Sequence, residues 1–205
     1  MKRLQLAFLA MTFLFSQLLF ADASPVQMLD QTAQQILDTL KQNKSSLKQN
    51  PQVIHQAVQR YLLPIVDVQG MSRSVLGRHA WNAASSADRA DFSRAFTQLV
   101  IRTYATPLAE YTDETIKFLP QHAAATGQFT RVNSLIIRSK GPNIVLSYSL
   151  VSKNGQWKIY DLSFEGVSLL QSFQNQFGQA LKNGSMHELI VQMGKKSQSQ
   201  SLSKG

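Results

Sequence analysis

The sequence predicts a single α+β domain, in which a curled antiparallel sheet of about four strands is wrapped by about six to eight helices. Three observations support this prediction. Apolar residues recur at helical spacing in the first half of the chain, alternate in the middle, and return to helical spacing near the end. The pair Asn154-Gly155 marks a tight hairpin between two alternating segments. The 205 residues contain no internal repeat and no linker that would divide them.

Residues 1–23 are predicted to be a cleavable signal peptide. Lys2 and Arg3 precede a mostly apolar stretch that ends at Phe20, and the small residues Ala21 and Ala23 supply a cleavage site. An uncleaved membrane anchor is the alternative, but a span needs about 20 strongly apolar residues and this stretch is shorter and interrupted. The domain is therefore expected to cover residues 24–194 and to be exported.

Helical spacing predicts several helices before the strands. An asparagine or aspartate followed by an apolar run is typical of a helix start, and proline or glycine is typical of its end. The predicted segments are a helix from Pro25 to Lys44, a helix from Asn50 to Pro64, a short helix from Asp67 to Gly77, a turn from His79 to Ala84, and a long helix from Ser85 to about Ala109.

Alternating residues predict four strands, Thr115–Leu119, Phe129–Ser139, Ile144–Ser152 and Gln156–Glu165. A two-residue hairpin loop would place Asp161 opposite Tyr148, and in that register neither face of the hairpin is polar. The sheet is therefore expected to be covered on both sides and to curl around an apolar cavity. Two further helices are predicted, Val167–Lys182 and Ser185–Met193, and residues 195–205 are predicted to form a disordered tail.

The composition limits which binding partners and which catalytic or metal chemistry can be expected. The chain has 21 Lys and Arg against 12 Asp and Glu. An exported protein meets membrane headgroups and acidic proteins, so no nucleic-acid partner is expected. The absence of cysteine from the sequence excludes disulfides and thiol chemistry. The four histidines are far apart, and no phosphate-binding glycine loop is present. No catalytic or metal site is therefore predicted.

Two carboxylates lie near apolar strand residues and leave an enzymatic alternative open. Asp161 or Glu165 could serve a small hydrolase or isomerase, with Tyr148 or Tyr160 as donor. Asp161 is more simply explained as a structural acceptor, because a buried carboxylate needs hydrogen bonds. Tyr148 is one expected donor, and the backbone at the start of the helix near Val167 is the other.

A set of motifs resembles one known family. Asp67, Met71, Val75-Leu76-Gly77 and Trp81 are followed by W-K-x-Y-D at 157–161, E-G-V-S-L at 165–169 and Q-F at 176–177. In this order they resemble the MlaC / toluene-tolerance family of periplasmic phospholipid-binding proteins. The resemblance covers about Val26 to Met193. The chain departs from it at Phe173-Gln174, where the family usually has a tyrosine–arginine pair.

The resemblance implies a monomeric periplasmic carrier that moves phospholipid between the outer and inner membranes and so maintains outer-membrane asymmetry. Its implied partners are an outer-membrane lipoprotein–porin complex and an inner-membrane ABC transporter with an MCE-domain protein. The bound phospholipid is cargo, and no cofactor is implied. An interaction protein with a solid core is the remaining alternative.

The apolar members of the motifs, on elements that must enclose the sheet, are the expected pocket wall. These are Met71, Val75, Leu76, Phe96, Leu99, Val100, Tyr104, Tyr148, Val167, Leu169, Leu170 and Phe173. Scattered arginines would give long-range attraction to an acidic partner without one tight patch. The expected partner-binding residues are Arg73, Arg78, Arg89, Arg94 and Arg102.

Overall fold

A computed structural model describes residues 24–109, 113–120 and 127–202 of the protein, so the predicted signal peptide lies outside the described residues. The helices of this part are α1 Pro25–Gln42, α2 Gln52–Ala57, α3 Val68–Ala83, α4 Ser86–Ala109, α5 Leu169–Asn183 and α6 Met186–Leu202. The strands are β1 Thr115–Phe118, β2 Phe129–Ile137, β3 Ile144–Lys153, β4 Gln156–Phe164 and β5 Val167–Ser168. A π-helical turn at Val58–Leu62 and a 3₁₀ turn at Leu63–Ile65 follow α2.

Side-chain caps begin α3 and α4 where the sequence predicts them. The Asp67 carboxylate accepts a hydrogen bond from the Gly70 amide at 3.1 Å and starts α3. At the start of α4, the Asp88 amide donates to Ser85 Oγ at 3.1 Å, while the Ser85 amide donates to the Asp88 carboxylate at 3.3 Å. Such reciprocal bonds satisfy amides that have no partner within the helix.

Gly77 divides α3 into two helical segments. Its φ of 76° and ψ of 159° lie in a region that only glycine adopts readily. The chain therefore turns after a first segment and forms a second one that ends at Ala83. This agrees with the predicted break at Gly77 and the predicted turn after it. The change of direction brings Trp81 into the core, where only 7% of it is exposed.

The five strands form one antiparallel sheet in the order β1-β2-β3-β4-β5. The predicted hairpin is confirmed, since Lys153 pairs with Gln156 across Asn154 and Gly155, both of which have positive φ. The predicted count of four strands was one short. Val167 and Ser168 pair with β4 as a short fifth strand before α5 begins at Leu169, so the prediction that a helix begins at Val167 was wrong.

A β-bulge changes the register within the central hairpin. Leu150 pairs with Ile159 as predicted, but the register then shifts by one residue, and Ser149 pairs with Asp161. The predicted Asp161–Tyr148 pairing was therefore wrong. A one-residue shift moves every later side chain to the other face. The shift places Leu162 opposite Tyr148, on the apolar face of β3, and moves Asp161 to the face that also carries Ser149.

Because of the bulge, Leu162 and Phe164 of β4 join the apolar face that carries Leu146, Tyr148 and Leu150. Val132, Leu146, Tyr148, Leu150 and Ile159 are buried on it and pack against Leu29 of α1. The opposite face carries polar residues, among them Ser147, Ser149, Asp161 and Ser163. Phe129 lies on this second face with 61% of its surface exposed. Ser149 and Val151 on this face are each only 5% exposed, so both faces are covered over the middle of β3, as expected.

Two further clusters complete the interior. The larger, which we call the aromatic core, lies between α3, α4, α5 and α6. Its buried members are Met71, Val75, Leu76, Trp81, Phe92, Phe96, Leu169, Phe173, Phe177, Leu189 and Met193. The smaller joins α1 and α2 to α4 through Leu40, Leu47, Ile54, Val58 and Ile101.

The last helix is longer than the sequence predicts. It was expected to end at Met193, but α6 continues to Leu202. Residues 195–202, which were predicted to belong to a disordered tail, are therefore helical in the structure. No proline follows Gly194, and lysine and glutamine are good helix formers, so nothing in the local sequence stops the helix.

Candidate functional site

The strongest candidate site is the boundary between the aromatic core and the sheet, which we call the seam. Its apolar side chains are half-buried rather than buried. Val66 and Phe164 pack against both the aromatic core and the cluster on the sheet, and the others pack against the aromatic core. The seam consists of Val66, Leu99, Val100, Tyr104, Phe164 and Leu170.

One aromatic pair links the two sides of the seam. The rings of Tyr104 on α4 and Phe164 on β4 stack with their centroids 5.2 Å apart and their planes 8° from parallel. The main backbone neighbours of α4 are α2, α3 and α6. Side chains therefore bridge α4 and the sheet.

Local sequence rules explain how these residues reach the seam. Phe96, Val100 and Tyr104 follow one another at four-residue spacing, so they lie on one stripe of α4. The stripe runs from the aromatic core toward the sheet. The bulge in β4 turns Phe164 to the same face as Leu146. No local residue pattern identifies a bulge, so Phe164 was not among the predicted pocket residues.

The predicted pocket residues separate into four groups. Val167 pairs with Phe164 across β4 and β5, but 63% of it is exposed, so it lies outside the half-buried seam. Tyr148 is buried among apolar residues of the sheet. Leu99, Val100, Tyr104 and Leu170 belong to the seam. The other predicted residues lie in the aromatic core, and they are Met71, Val75, Leu76, Phe96, Leu169 and Phe173.

Asp161 fixes the start of α5 next to the seam. Its carboxylate accepts a hydrogen bond from the Leu170 amide at 3.0 Å and another from Ser168 Oγ at 2.7 Å. Of the two donors that the sequence suggested for Asp161, the backbone at the start of the helix is the one found. Both carboxylate oxygens have acceptor roles in the fold, so this geometry favours a structural function for Asp161.

Glu165 has a similar role directly after the end of β4. Its side chain accepts a hydrogen bond from the Val145 amide, and its own amide donates to the Val145 carbonyl at 2.9 Å. Its positive φ of 48° and the adjacent Gly166 form the turn that leads into β5. Glu165 therefore ties a turn to β3, and its geometry does not resemble that of a general acid or base over a cavity.

The two tyrosines nearest the candidate site remain neutral at physiological pH. Burial raises the pKa of Tyr148 to about 12, although the nearby Ser134 hydroxyl opposes part of this shift. Burial also raises the pKa of Tyr104 above its usual value. A phenol with a raised pKa keeps its proton, so both rings contribute neutral, largely apolar surface.

The five predicted arginines do not form one patch. Arg89 donates to the carbonyls of Trp81 at 2.7 Å and Asn82 at 3.2 Å, and so caps the end of α3. Arg94 pairs with Asp91. Arg102 is half-buried, and burial lowers the pKa of its guanidinium. Arg73 and Arg78 remain exposed on α3, and no ion pair is found for either within the described residues.

Within residues 24–109, 113–120 and 127–202, no group of three histidine, aspartate or glutamate side chains is arranged to hold a metal ion. No helix in that part of the chain has the length and apolar character needed to cross a membrane.

The fold and the seam define a class: a single-domain α+β protein in which helices pack against a curled, unclosed antiparallel sheet. The chain belongs to the MlaC family, because the family model described as MlaC protein matches residues 30–195. The family resemblance inferred from the motifs is thus confirmed.

Named relatives and a solved structure support this assignment. The intermembrane phospholipid transport system binding protein MlaC of Haemophilus influenzae is 29% identical over 192 residues, which cover 92% of this chain and 89% of the relative. The toluene tolerance protein ttg2D of Pseudomonas putida is 28% identical over 171 residues, which cover 83% and 79%. A phospholipid-binding protein from Ralstonia solanacearum, solved in complex with a phospholipid, matches with a TM-score of 0.78 and 26% identity. The match covers 87% of this chain and 98% of that one.

Proposed function

We propose that this protein is a periplasmic carrier that binds a glycerophospholipid with its acyl chains inserted at the seam. The observation that carries the proposal is the likeness to a solved protein. The Ralstonia solanacearum protein shares the fold over 87% of this chain and was solved with a phospholipid bound. The seam supports the proposal because its half-buried apolar side chains lie where the helical layer meets the sheet.

The energetics of a lipid tail explain why an apolar site suffices. Exposing one acyl methylene to water costs about 0.8 kcal/mol, so two chains of about 15 carbons exposed together cost on the order of 20 kcal/mol. A protein that encloses the tails removes most of this cost without any covalent chemistry. Its affinity needs only to be comparable with that of a bilayer, so that lipid can be taken up and released.

The carrier exchanges lipid between the outer and inner membranes and thereby contributes to outer-membrane lipid asymmetry. Its proposed partners are an outer-membrane lipoprotein–porin complex and an inner-membrane ABC transporter with an MCE-domain protein. The name of the Haemophilus influenzae relative, an intermembrane phospholipid transport system binding protein, supports this part of the proposal. Transfer between donor and acceptor vesicles tests it, because a carrier should accelerate phospholipid exchange in proportion to its concentration.

Native mass spectrometry tests the binding site directly. Protein isolated from the periplasm of a Gram-negative host should carry a mass increment equal to one or more phospholipids. Val100→Trp should reduce this bound fraction several-fold, because the larger ring fills the seam. Ala90→Trp is the matched control, since Ala90 is exposed on the same helix and should leave the lipid content unchanged.

Leu170→Trp provides a second, independent probe of the same space from α5. Cooperative unfolding of each variant must be verified first, because a large residue can also disrupt packing. A folded Val100→Trp or Leu170→Trp variant with its full lipid complement would exclude that position from the pocket. Wild-type protein that consistently carries no lipid would contradict the carrier function itself.

A further inference from the structure

Two neighbouring helices, α3 and α5, present a surface of unusual charge. They pack against each other over the aromatic core. Neither Val68–Ala83 nor Leu169–Asn183 contains an aspartate or glutamate. Their outward residues are cationic, amide-bearing or small. The exposed polar members are Gln69, Arg73, Ser74, Arg78, His79, Asn82, Gln171, Ser172, Asn175, Gln176, Gln179 and Lys182.

The acidic groups beside this surface are engaged in the fold. Asp67 accepts a hydrogen bond from the Gly70 amide and pairs with Lys153. Asp161 is held by the start of α5. Glu188 accepts a hydrogen bond from the Ser185 amide at 2.7 Å, beyond the end of α5. Among the described residues, none of these carboxylates forms an ion pair with Arg73, Arg78 or Lys182.

A depression lies on this surface immediately after the break at Gly77. It is lined by Arg78, His79, Asn82 and Ala83, with no acidic side chain among its lining residues. A guanidinium beside an amide suits a carboxylate, which accepts two hydrogen bonds from an arginine. The depression therefore has the chemistry to receive a protruding acidic side chain.

We propose that the outward face of α3 and α5, with Arg73 and Arg78 as its principal charges, docks an acidic surface of a protein partner. This inference rests on the proposed function, because a carrier must meet a partner that takes or gives the lipid. Only three fixed positive charges, those of Arg73, Arg78 and Lys182, lie on the two helices. That is fewer than the 4–8 basic residues typical of a segment that binds anionic lipid headgroups.

The distribution of exposed apolar residues also favours a protein partner over a membrane. The large hydrophobic residues exposed in the described part of the chain are Phe129, Val145, Val167 and Val191. None of these lies within α3 or α5, so the surface has no apolar side chain to insert into a bilayer. Exposed charges at a protein–protein interface, such as those of Arg73 and Arg78, mainly accelerate association and make it sensitive to salt.

The test compares two double variants of equal net charge. Arg73→Glu with Arg78→Glu alters the proposed surface. Lys41→Glu with Lys140→Glu is the control, because these lysines are exposed elsewhere. Immobilised poly-L-glutamate serves as the acidic polypeptide, and phosphatidylglycerol vesicles serve as the anionic membrane. At low salt we expect the arginine variant to bind poly-L-glutamate about tenfold more weakly and the lysine variant to stay within about twofold of wild type.

Arg73→Gln with Arg78→Gln should show a smaller loss in the same direction, which keeps the test valid if the glutamate variant fails to fold. Equal weakening by the lysine and arginine variants would overturn the proposal, because any positive charge would then serve. Vesicle binding that depends on the two arginines, without loss on poly-L-glutamate, would also overturn it in favour of a membrane surface. Lipid content measured on the same samples tests the carrier function separately, since it should be equal in all variants.

Discussion

The aromatic core and the seam both contain aromatic rings from α4, but they differ in packing. In the aromatic core, Phe92 and Phe177 expose 0% and 1% of their surface, and their rings meet edge to face at 5.8 Å. In the seam, Tyr104 and Phe164 are stacked but remain half-buried. The two ends of α4 therefore differ in how closely their side chains are packed. The end near Phe92 is closely packed and holds α4 in place, while the end near Tyr104 leaves apolar side chains partly exposed.

Truncation in the aromatic core should have the largest effect on stability. Phe92→Ala should reduce the free energy of unfolding by about 3–5 kcal/mol, because it leaves a cavity among buried rings. Val100→Ala in the seam should cost about 1 kcal/mol or less, since Val100 is already half-exposed. Denaturant unfolding of lipid-free protein measures both values. Equal losses would contradict the difference in packing between the two regions.

High pH should destabilise the sheet through Tyr148. Its pKa is near 10 when unfolded and is raised to about 12 in the folded protein by burial. Below pH 10 the phenol is protonated in both states, so its contribution to stability is fully present. Between pH 10 and about 12 only the unfolded state loses the proton, so stability falls by about 2–3 kcal/mol.

Tyr148→Phe is the control for this pH dependence. It removes the titrating group but keeps the ring that lies 5.8 Å from Phe118. Lysine side chains also titrate in this range, so the informative quantity is the difference between the unfolding profiles of wild type and variant. Parallel profiles from pH 9 to about 12 would show that Tyr148 is not shielded from water.

Asp161→Asn should have a smaller effect, at the point where the sheet meets the seam. The neutral amide keeps one acceptor oxygen but loses the charge that strengthens the bonds from Leu170 and Ser168. We expect a loss of about 1–2 kcal/mol in unfolding free energy. Lipid occupancy should fall only as far as folding does, which separates this residue from the seam itself. A fully stable variant that had lost its lipid would assign Asp161 to binding instead.

The aromatic core and the seam also differ in how well the sequence predicts them. The aromatic core follows from regular helical spacing, so Phe92 and Phe96 could be placed on one stripe of α4 from the sequence. Cap residues such as Asp67 and Ser85 fixed the helix starts, because their hydrogen bonds are local. Features set by residues three or four positions apart were thus predictable.

The seam was predicted only in part, because it depends on the sheet register. The hairpin at Asn154 and Gly155 sets the pairing as far as Leu150 and Ile159, and the bulge then resets it. No local residue pattern predicted that shift, so Phe164 was not placed in the pocket wall and Asp161 was assigned to the wrong partner. The α4 side of the seam, Val100 and Tyr104, was found because helical periodicity is not interrupted there.

The smallest expected effect on stability concerns His55, which lies on α2 where that helix meets α4. Burial and, to a lesser extent, the positive charge of Arg102 hold the pKa of His55 below its usual value of 6.5. The unfolded chain therefore takes up a proton at a higher pH than the folded protein does. The contribution of His55 to stability is fully present above pH 6.5 and is lost as the pH falls through the lower folded-state value.

NMR titration of the His55 ring should give a pKa below 6.5, and Arg102→Gln should move it partly back. His55→Gln should flatten the unfolding free energy between pH 7 and about 5 relative to wild type, without changing the lipid content, because His55 lies outside the seam. A His55 pKa at or above 6.5 would mean that neither burial nor Arg102 acts on this ring. The boundary between α2 and α4 would then be as open to water as the seam.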